Sequence, residues 1–155
     1  MNKQSGFTLI ELVVVIVILG ILAVTAAPRF LNLQSDARVS ALQGMKGAMA
    51  GAGSIVYGKA AINGVETEQN SGISNGVTTI TTSYGYPTED ETGIVLAVQG
   101  LEDQTEWRYA GAVSGGLAVT FADRAIPDGT ECSVIYQNAA NQSSSPQITV
   151  VETGC

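Results

Sequence analysis

The chain has 155 residues, room for one ordinary domain, and carries a formal net charge of −7 with no histidine and two cysteines. An acidic chain does not coat phosphate backbones, so nucleic acid is not an expected partner. Without histidine there is no Ser-His-Asp triad and no imidazole metal ligand, and two cysteines cannot build a four-thiolate zinc site.

The averages conceal two unlike segments. Only 14% of residues are charged, and mean hydropathy is +0.23. The apolar weight is concentrated near the N-terminus, where Leu12 to Ala27 reads LVVVIVILGILAVTAA without a charge. Phe7 to Ile10 extends this run upstream, interrupted only by Glu11. As a helix, Phe7 to Ala27 spans about 31 Å, which matches a bilayer hydrocarbon core of about 30 Å. Residues 1–61 hold five basic side chains (Lys3, Arg29, Arg38, Lys46, Lys59) and two acidic ones (Glu11, Asp36), a balance of +3. Residues 62–155 hold Arg108 and Arg124 against twelve carboxylates, a balance of −10.

Three processing schemes fit such an N-terminus. A secretory signal could be cut after Thr25-Ala26-Ala27, but Glu11 interrupts its apolar core and Pro28 would follow the cut. A plain membrane anchor leaves Glu11 as an unexplained charge at a costly depth. The third scheme uses more of the residues. The stretch Lys3-Gln4-Ser5-Gly6-Phe7-Thr8-Leu9-Ile10-Glu11 resembles the type III (prepilin) leader of type IV pilins. In that family a short basic leader ends in glycine and the apolar segment is retained.

This resemblance implies cleavage between Gly6 and Phe7 by a prepilin peptidase and methylation of the new Phe7 amine. Glu11 lies at i+4 from Phe7, within the first helical turn, where the helix dipole favours a carboxylate. By resemblance it also pairs with the Phe7 amine of a neighbouring subunit during assembly. A paired carboxylate in an apolar filament core costs much less than an unpaired one and selects register. The stretch from Phe7 through Ala27-Pro28-Arg29-Phe30-Leu31-Asn32-Leu33-Gln34, with Gly58-Lys59-Ala60-Ala61, is most similar to the mannose-sensitive haemagglutinin pilins of marine gamma-proteobacteria.

Helical spacing continues beyond the apolar run. Ala41/Leu42, Met45, Ala48/Met49, Ala52 and Ile55/Val56 form one stripe expected to face a globular domain, with Arg38, Gln43, Lys46 and Lys59 in water. Asn63-Gly64 is a stop signal. A helix from Phe7 to about Ala61 would run about 80 Å, so its first half is expected to protrude and to need a membrane or other copies of itself. Gly20 lowers helix propensity by about 1 kcal/mol and Pro28 removes a backbone hydrogen bond. The resemblance implies that Gly20 to Pro28 melts in part in the filament. Gly44, Gly47, Gly51, Gly53 and Gly58 suggest close packing of the helix on a sheet.

Past Ile62 the chain is rich in turn residues, with Asn75-Gly76 and Tyr86-Pro87 as turn signals. Strands are expected over 77–83, 93–99, 106–113, 117–122, 132–137 and 147–152, with a hairpin at Ser114-Gly115-Gly116. The fold class is therefore α+β, in the type IV pilin pattern: a long protruding helix packed on an antiparallel sheet. The organisation is a removable leader (1–6), a transmembrane and assembly helix (7–28), an amphipathic helical half (29–61) and a β-rich head (62–155). The resemblance, with an oxidising periplasm, implies a Cys132–Cys155 disulfide bounding a C-terminal surface loop. Closing that loop contributes roughly 3 kcal/mol.

Glu89-Asp90-Glu91 and Glu102-Asp103 raise the possibility of calcium, but their spacing is that of a solvated face, and no cofactor is implied. The reading is a non-enzymatic subunit of a homopolymeric surface pilus used in attachment. Its partners would be prepilin peptidase, the pilus assembly machinery and other copies of itself. It would stand in the bacterial inner membrane first and in the extracellular fimbrium afterwards. The alternatives are a type II secretion pseudopilin or a minor pilin and, after these, a secreted binding domain released after Ala27.

Overall fold

The computed structural model describes residues 7–155 save 75, 114 and 126, and leaves aside the side chains at 27, 28, 30–32 and 112. Residues 1–6, and with them the expected leader, lie outside the described residues, as do Asn75 and Ser114 of the expected turns. The chain forms two compact units, Met1–Ala37 and Arg38–Cys155. Among the described residues one long helix, α1, covers Leu9–Asn63, and seven strands and a π-helical turn follow it.

The helix ends where the sequence signals it. Gly64 has φ +72°, its N–H donates to the Ala61 carbonyl (3.2 Å), and the Val65 N–H donates to the Ala60 carbonyl (3.0 Å). These two bonds satisfy carbonyls that a helix end otherwise leaves open, and Val65 packs with Ala60 in the accompanying apolar contact.

Two antiparallel sheets follow, where one had been expected. The first joins β1 (Ser71–Ser74), β2 (Thr79–Ser83) and β3 (Tyr86–Pro87). Tyr86-Pro87 is thus a strand, not a turn. The turn is Tyr84-Gly85, both with positive φ, in a two-residue loop that sets Ser83 opposite Tyr86. The second sheet has the order β4-β5-β6-β7, from Trp107–Val113, Gly116–Phe121, Ser133–Gln137 and Gln147–Val151. All its pairings are antiparallel, and a register shift between Ala110 and Val113 interrupts edge strand β4.

The expected strand over 93–99 is helical: Glu91–Val95 is a π-helical turn and two further helical residues follow it. Asp90 accepts a hydrogen bond from the Gly93 N–H at 2.8 Å and starts the turn. Ile94, Val95, Val98 and Leu101 then point into the core together. A short apolar run fits either a strand or a buried helix, and here the Asp90 cap and the i, i+4, i+7 spacing won. At Gly93 a Cβ would overlap the Thr88 backbone, so only glycine fits this crossing.

Within the unit 38–155, α1 lies on both sheets. Leu42, Met45 and Met49 pack with Leu117, Val119, Val134 and Tyr136 of the larger sheet. Val56 and Ala60 pack with Ile73 and Ile80 of the smaller one. The buried stripe is narrower than the sequence stripe: Leu42, Met45 and Met49 are buried, while Ala41, Ala48 and Ile55 are exposed. The helical glycines do not pack on the sheet, as had been expected. Only Gly53 is buried, 3.8 Å from Tyr86 as measured from an added Cβ. Arg38 is not a free surface cation either. Its side chain is 19% exposed, pairs with Asp123 at 2.6 Å and lies 5.2 Å from the centre of the Phe121 ring.

Candidate assembly site

The described chain begins at Phe7, which is exposed, and enters α1 through a reciprocal cap. The Thr8 backbone N–H donates to Glu11 Oε2 at 2.8 Å, and the Thr8 hydroxyl donates to the same oxygen at 2.7 Å. The Glu11 N–H donates back to Thr8 Oγ1 at 3.4 Å. This is a capping box, in which a Thr and a Glu three positions on satisfy the free donors of a helix start. The pattern Thr8-x-x-Glu11 is itself a capping-box signature in the sequence, and it gives Glu11 a partner that the Phe7–Glu11 spacing does not. Glu11 is therefore hydrogen-bonded within its own chain through Oε2.

From Leu9 to Ala26 the helix has a mean hydropathy of 3.0, and none of it is covered by the chain's own fold. Eighteen residues are long and apolar enough to cross a bilayer. Leu9, Ile10, Leu12, Ile16, Leu19 and Ile21 all expose more than half of their surface. The helix runs without interruption through Gly20 and Pro28. Gly6 lies outside the described residues.

At the other end of the chain, Cys132 and Cys155 are joined in a disulfide with Cα atoms 4.8 Å apart. Cys132 is fully buried, and its N–H donates to the Thr153 carbonyl at 2.8 Å. The Thr120 hydroxyl donates to the Cys132 carbonyl (2.6 Å), and the Thr153 hydroxyl donates to the Thr130 carbonyl (3.0 Å). The disulfide and these bonds fix the last residues to β5 and to the loop before β6.

Several head carboxylates are tied to hydrogen-bond donors of the chain, near and far in sequence. Glu89 accepts from the Asn138 N–H (3.0 Å), and Asp103 accepts from both the N–H and the hydroxyl of Thr105. Asp128 accepts from the hydroxyl (2.7 Å) and N–H (2.9 Å) of Thr130, which hold its carboxyl below the ordinary carboxylate range. Among the described residues no three carboxylate or cysteine side chains converge as a metal site would require.

Residues 1–27 match the prokaryotic N-terminal methylation motif. A 43-residue stretch is 49% identical to the type II secretion system core protein G of Pseudomonas aeruginosa, covering 28% of this chain and 30% of that one. A 40-residue stretch is 55% identical to a fimbrial protein of Moraxella nonliquefaciens, 26% of each chain. A 35-residue stretch is 57% identical to a type IV narrow pilus major component of Thermus thermophilus, covering 23% of this chain and 30% of that one. The matched stretch spans less than a third of each of these curated relatives. No solved structure matches the chain.

The chain thus carries a prokaryotic N-terminal methylation motif and has pilins and a type II secretion core protein as relatives. Its long N-terminal helix, antiparallel sheets and C-terminal disulfide are consistent with the type IV pilin fold.

Proposed function

We propose that this chain is a major structural subunit of a type IV pilus, within the mannose-sensitive haemagglutinin group, and acts in surface attachment. One observation carries the reading: an apolar helix with no cover of its own lies inside a match to the N-terminal methylation motif. Such a helix needs lipid or copies of itself, because its exposed apolar area is far larger than a soluble monomer presents. In the proposed sequence a prepilin peptidase removes residues 1–6 and Phe7 is methylated. The subunit waits in the inner membrane as a single-pass protein. The assembly machinery then moves its helix from lipid into a bundle of like helices. Burial changes little in that transfer, so register depends on polar groups, and Glu11 is the one charge available between Leu9 and Ala26. The role is structural and not catalytic. In the assembled filament the stretch from Gly20 to Pro28 loses part of its helix, and a filament map with continuous helix there would refute this step.

The test is mass spectrometry of sheared surface filaments. A bulk species running from a methylated Phe7 to Cys155, with the disulfide intact, is the expected result. A mature N-terminus at Pro28 would overturn the reading. A second reading, a type II secretion pseudopilin, is favoured by the 49% identity to the secretion core protein. It predicts the same processed species in the cell envelope and none in sheared fibres. The C-terminal disulfide favours the pilin, since by the family resemblance major pseudopilins usually lack it.

A further inference from the structure

The two sheets of the head end in four edge strands, and an open edge invites another strand unless something blunts it. Three of the four are blunted. β3 is only two residues long, one of them proline. β1 has four residues, with glycine at the second. β4 carries the exposed Arg108 and the register shift between Ala110 and Val113. β7 has none of these devices. Gln147-Ile148-Thr149-Val150-Val151 pairs with β6 through five unbroken positions and contains no charge, proline or glycine. Ile148, Thr149, Val150 and Val151 are β-branched, which favours a strand.

In an antiparallel pair every second residue turns its N–H and C=O away from the partner strand. Among the described residues, no loop, cap or side chain supplies a partner to those outward groups of β7. Gln147 and Thr149 are exposed on one face of the strand, while Ile148 and Val150 pack against the core on the other.

Charge and symmetry name the occupant. Residues 62–155 carry a balance of −10, so two heads repel unless they meet across a neutral surface. The chain is uncharged from Cys132 to Val151, and β7 closes that run. Antiparallel pairing of β7 with the β7 of a second copy, centred on Thr149, sets Thr149 on Thr149, Ile148 on Val150 and Gln147 on Val151. Such β-branched pairs stabilise neighbouring strands. In this register the two Glu152 carboxylates, which end the neutral run, stand about 20 Å apart along the strands, beyond a Debye length of about 10 Å at 0.1 M salt.

We propose that the open edge of β7, Gln147–Val151, pairs antiparallel with the same edge of a second copy of this chain, centred on Thr149. Two four-stranded sheets then become one of eight strands. The contact is two-fold and is made by the head, so it does not depend on the polymerising role argued above. Copies along a polar helical fibre meet through unlike surfaces, so a two-fold contact of this kind joins copies in different fibres.

The experiment uses the full-length chain in detergent, where Cys132 and Cys155 are already joined to each other. Thr149→Cys places one thiol on the two-fold axis, within disulfide reach of its twin. Gln147→Cys places its two thiols more than about 10 Å apart. Mild oxidation should give a covalent dimer from the first variant and none from the second. A first variant that links no more than the second overturns the register. Thr149→Lys then decides the pairing itself, because it sets two ammonium groups face to face. It should leave Tm unchanged, since Thr149 is exposed, and weaken dimerisation in sedimentation equilibrium at least about tenfold. Thr149→Val should dimerise as the unaltered chain does. An unaltered chain that sediments as one copy per micelle, or a lysine variant that dimerises as well as the unaltered chain, overturns the pairing.

Discussion

Residues 9–26 and residues 42–60 belong to one helix, yet their apolar side chains meet opposite fates. In the first stretch Leu12, Ile16 and Leu19 all lie open. In the second, Leu42 and Met49 are wholly buried against the sheet that carries Val119 and Tyr136. Helix geometry is common to both, so the difference comes from side-chain pattern. An all-round apolar surface has no wet side and cannot be satisfied by one sheet. A single stripe at 42, 45, 49, 56 and 60 can. Stability of the free chain should therefore reside in the second stretch, and association in the first.

The largest effect expected to test this contrast is a pair of truncations. Met49→Ala should destabilise the head by about 2–5 kcal/mol, since a fully buried side chain leaves a cavity. Leu12→Ala should leave the same melting transition unchanged in detergent. A comparable loss of head stability from Leu12→Ala would break the comparison.

The disulfide comes next. Replacing Cys132 and Cys155 together by serine should cost roughly 3 kcal/mol in chemical denaturation. Because Cys132 lies in the head core, the apolar helix should not respond, and its helical signal in detergent should persist.

A smaller effect is expected at Tyr136. Its hydroxyl donates to the Pro87 carbonyl at 2.8 Å and links the two sheets through a buried bond. Burial, then the Glu89 charge and Tyr86, raise its pKa far above the ordinary phenol value of 10.0. The folded state thus holds its proton after the unfolded state has lost it. The corresponding stability is fully present below pH 10 and falls as pH rises beyond that. Tyr136→Phe should cost about 1–3 kcal/mol near neutral pH by leaving the Pro87 carbonyl unpaired. It should also flatten the alkaline limb of a stability–pH curve.

The smallest effects concern the head surface. Arg38→Ala removes an ion pair to an exposed Asp123 and a ring contact with Phe121, and should cost about 1 kcal/mol. Asp128 has a carboxyl pKa lowered by Thr130, so its contribution is present above the ordinary carboxylate pKa and is lost as pH falls through the lowered value. Asp128→Asn should remove that acid-side slope in a pH titration of unfolding.

Much of this architecture could be read from residue order. The helix end at Asn63-Gly64 was legible because glycine at positive φ closes helices. The strands at 107–113, 116–121, 133–137 and 147–151 were legible through alternation and β-branched content. The turn at Glu91–Val95 was not, because Ile94, Val95 and Val98 suit either geometry until Asp90 caps the turn and a core surrounds it. The division into two sheets was equally hidden. It depends on which strand edges meet, and four residues at Ser71–Ser74 carry too little pattern to announce themselves. At the candidate site, Glu11 was legible as an anomaly, but its partner Thr8 emerged only from the cap geometry.

Sequence alone determined that this chain has an uncovered apolar helix, an acidic β-rich head and no histidine chemistry. Charge, hydropathy and period are local properties of residue order. Tertiary structure decided which face of the helix the head covers. The glycines at 44, 47, 51 and 58 could have lain beneath the sheet or away from it, and periodicity alone did not separate the two. Burial of Leu42, Met45, Met49 and Val56 turned them outward, because one rotation of a helix about its axis assigns every residue on it at once.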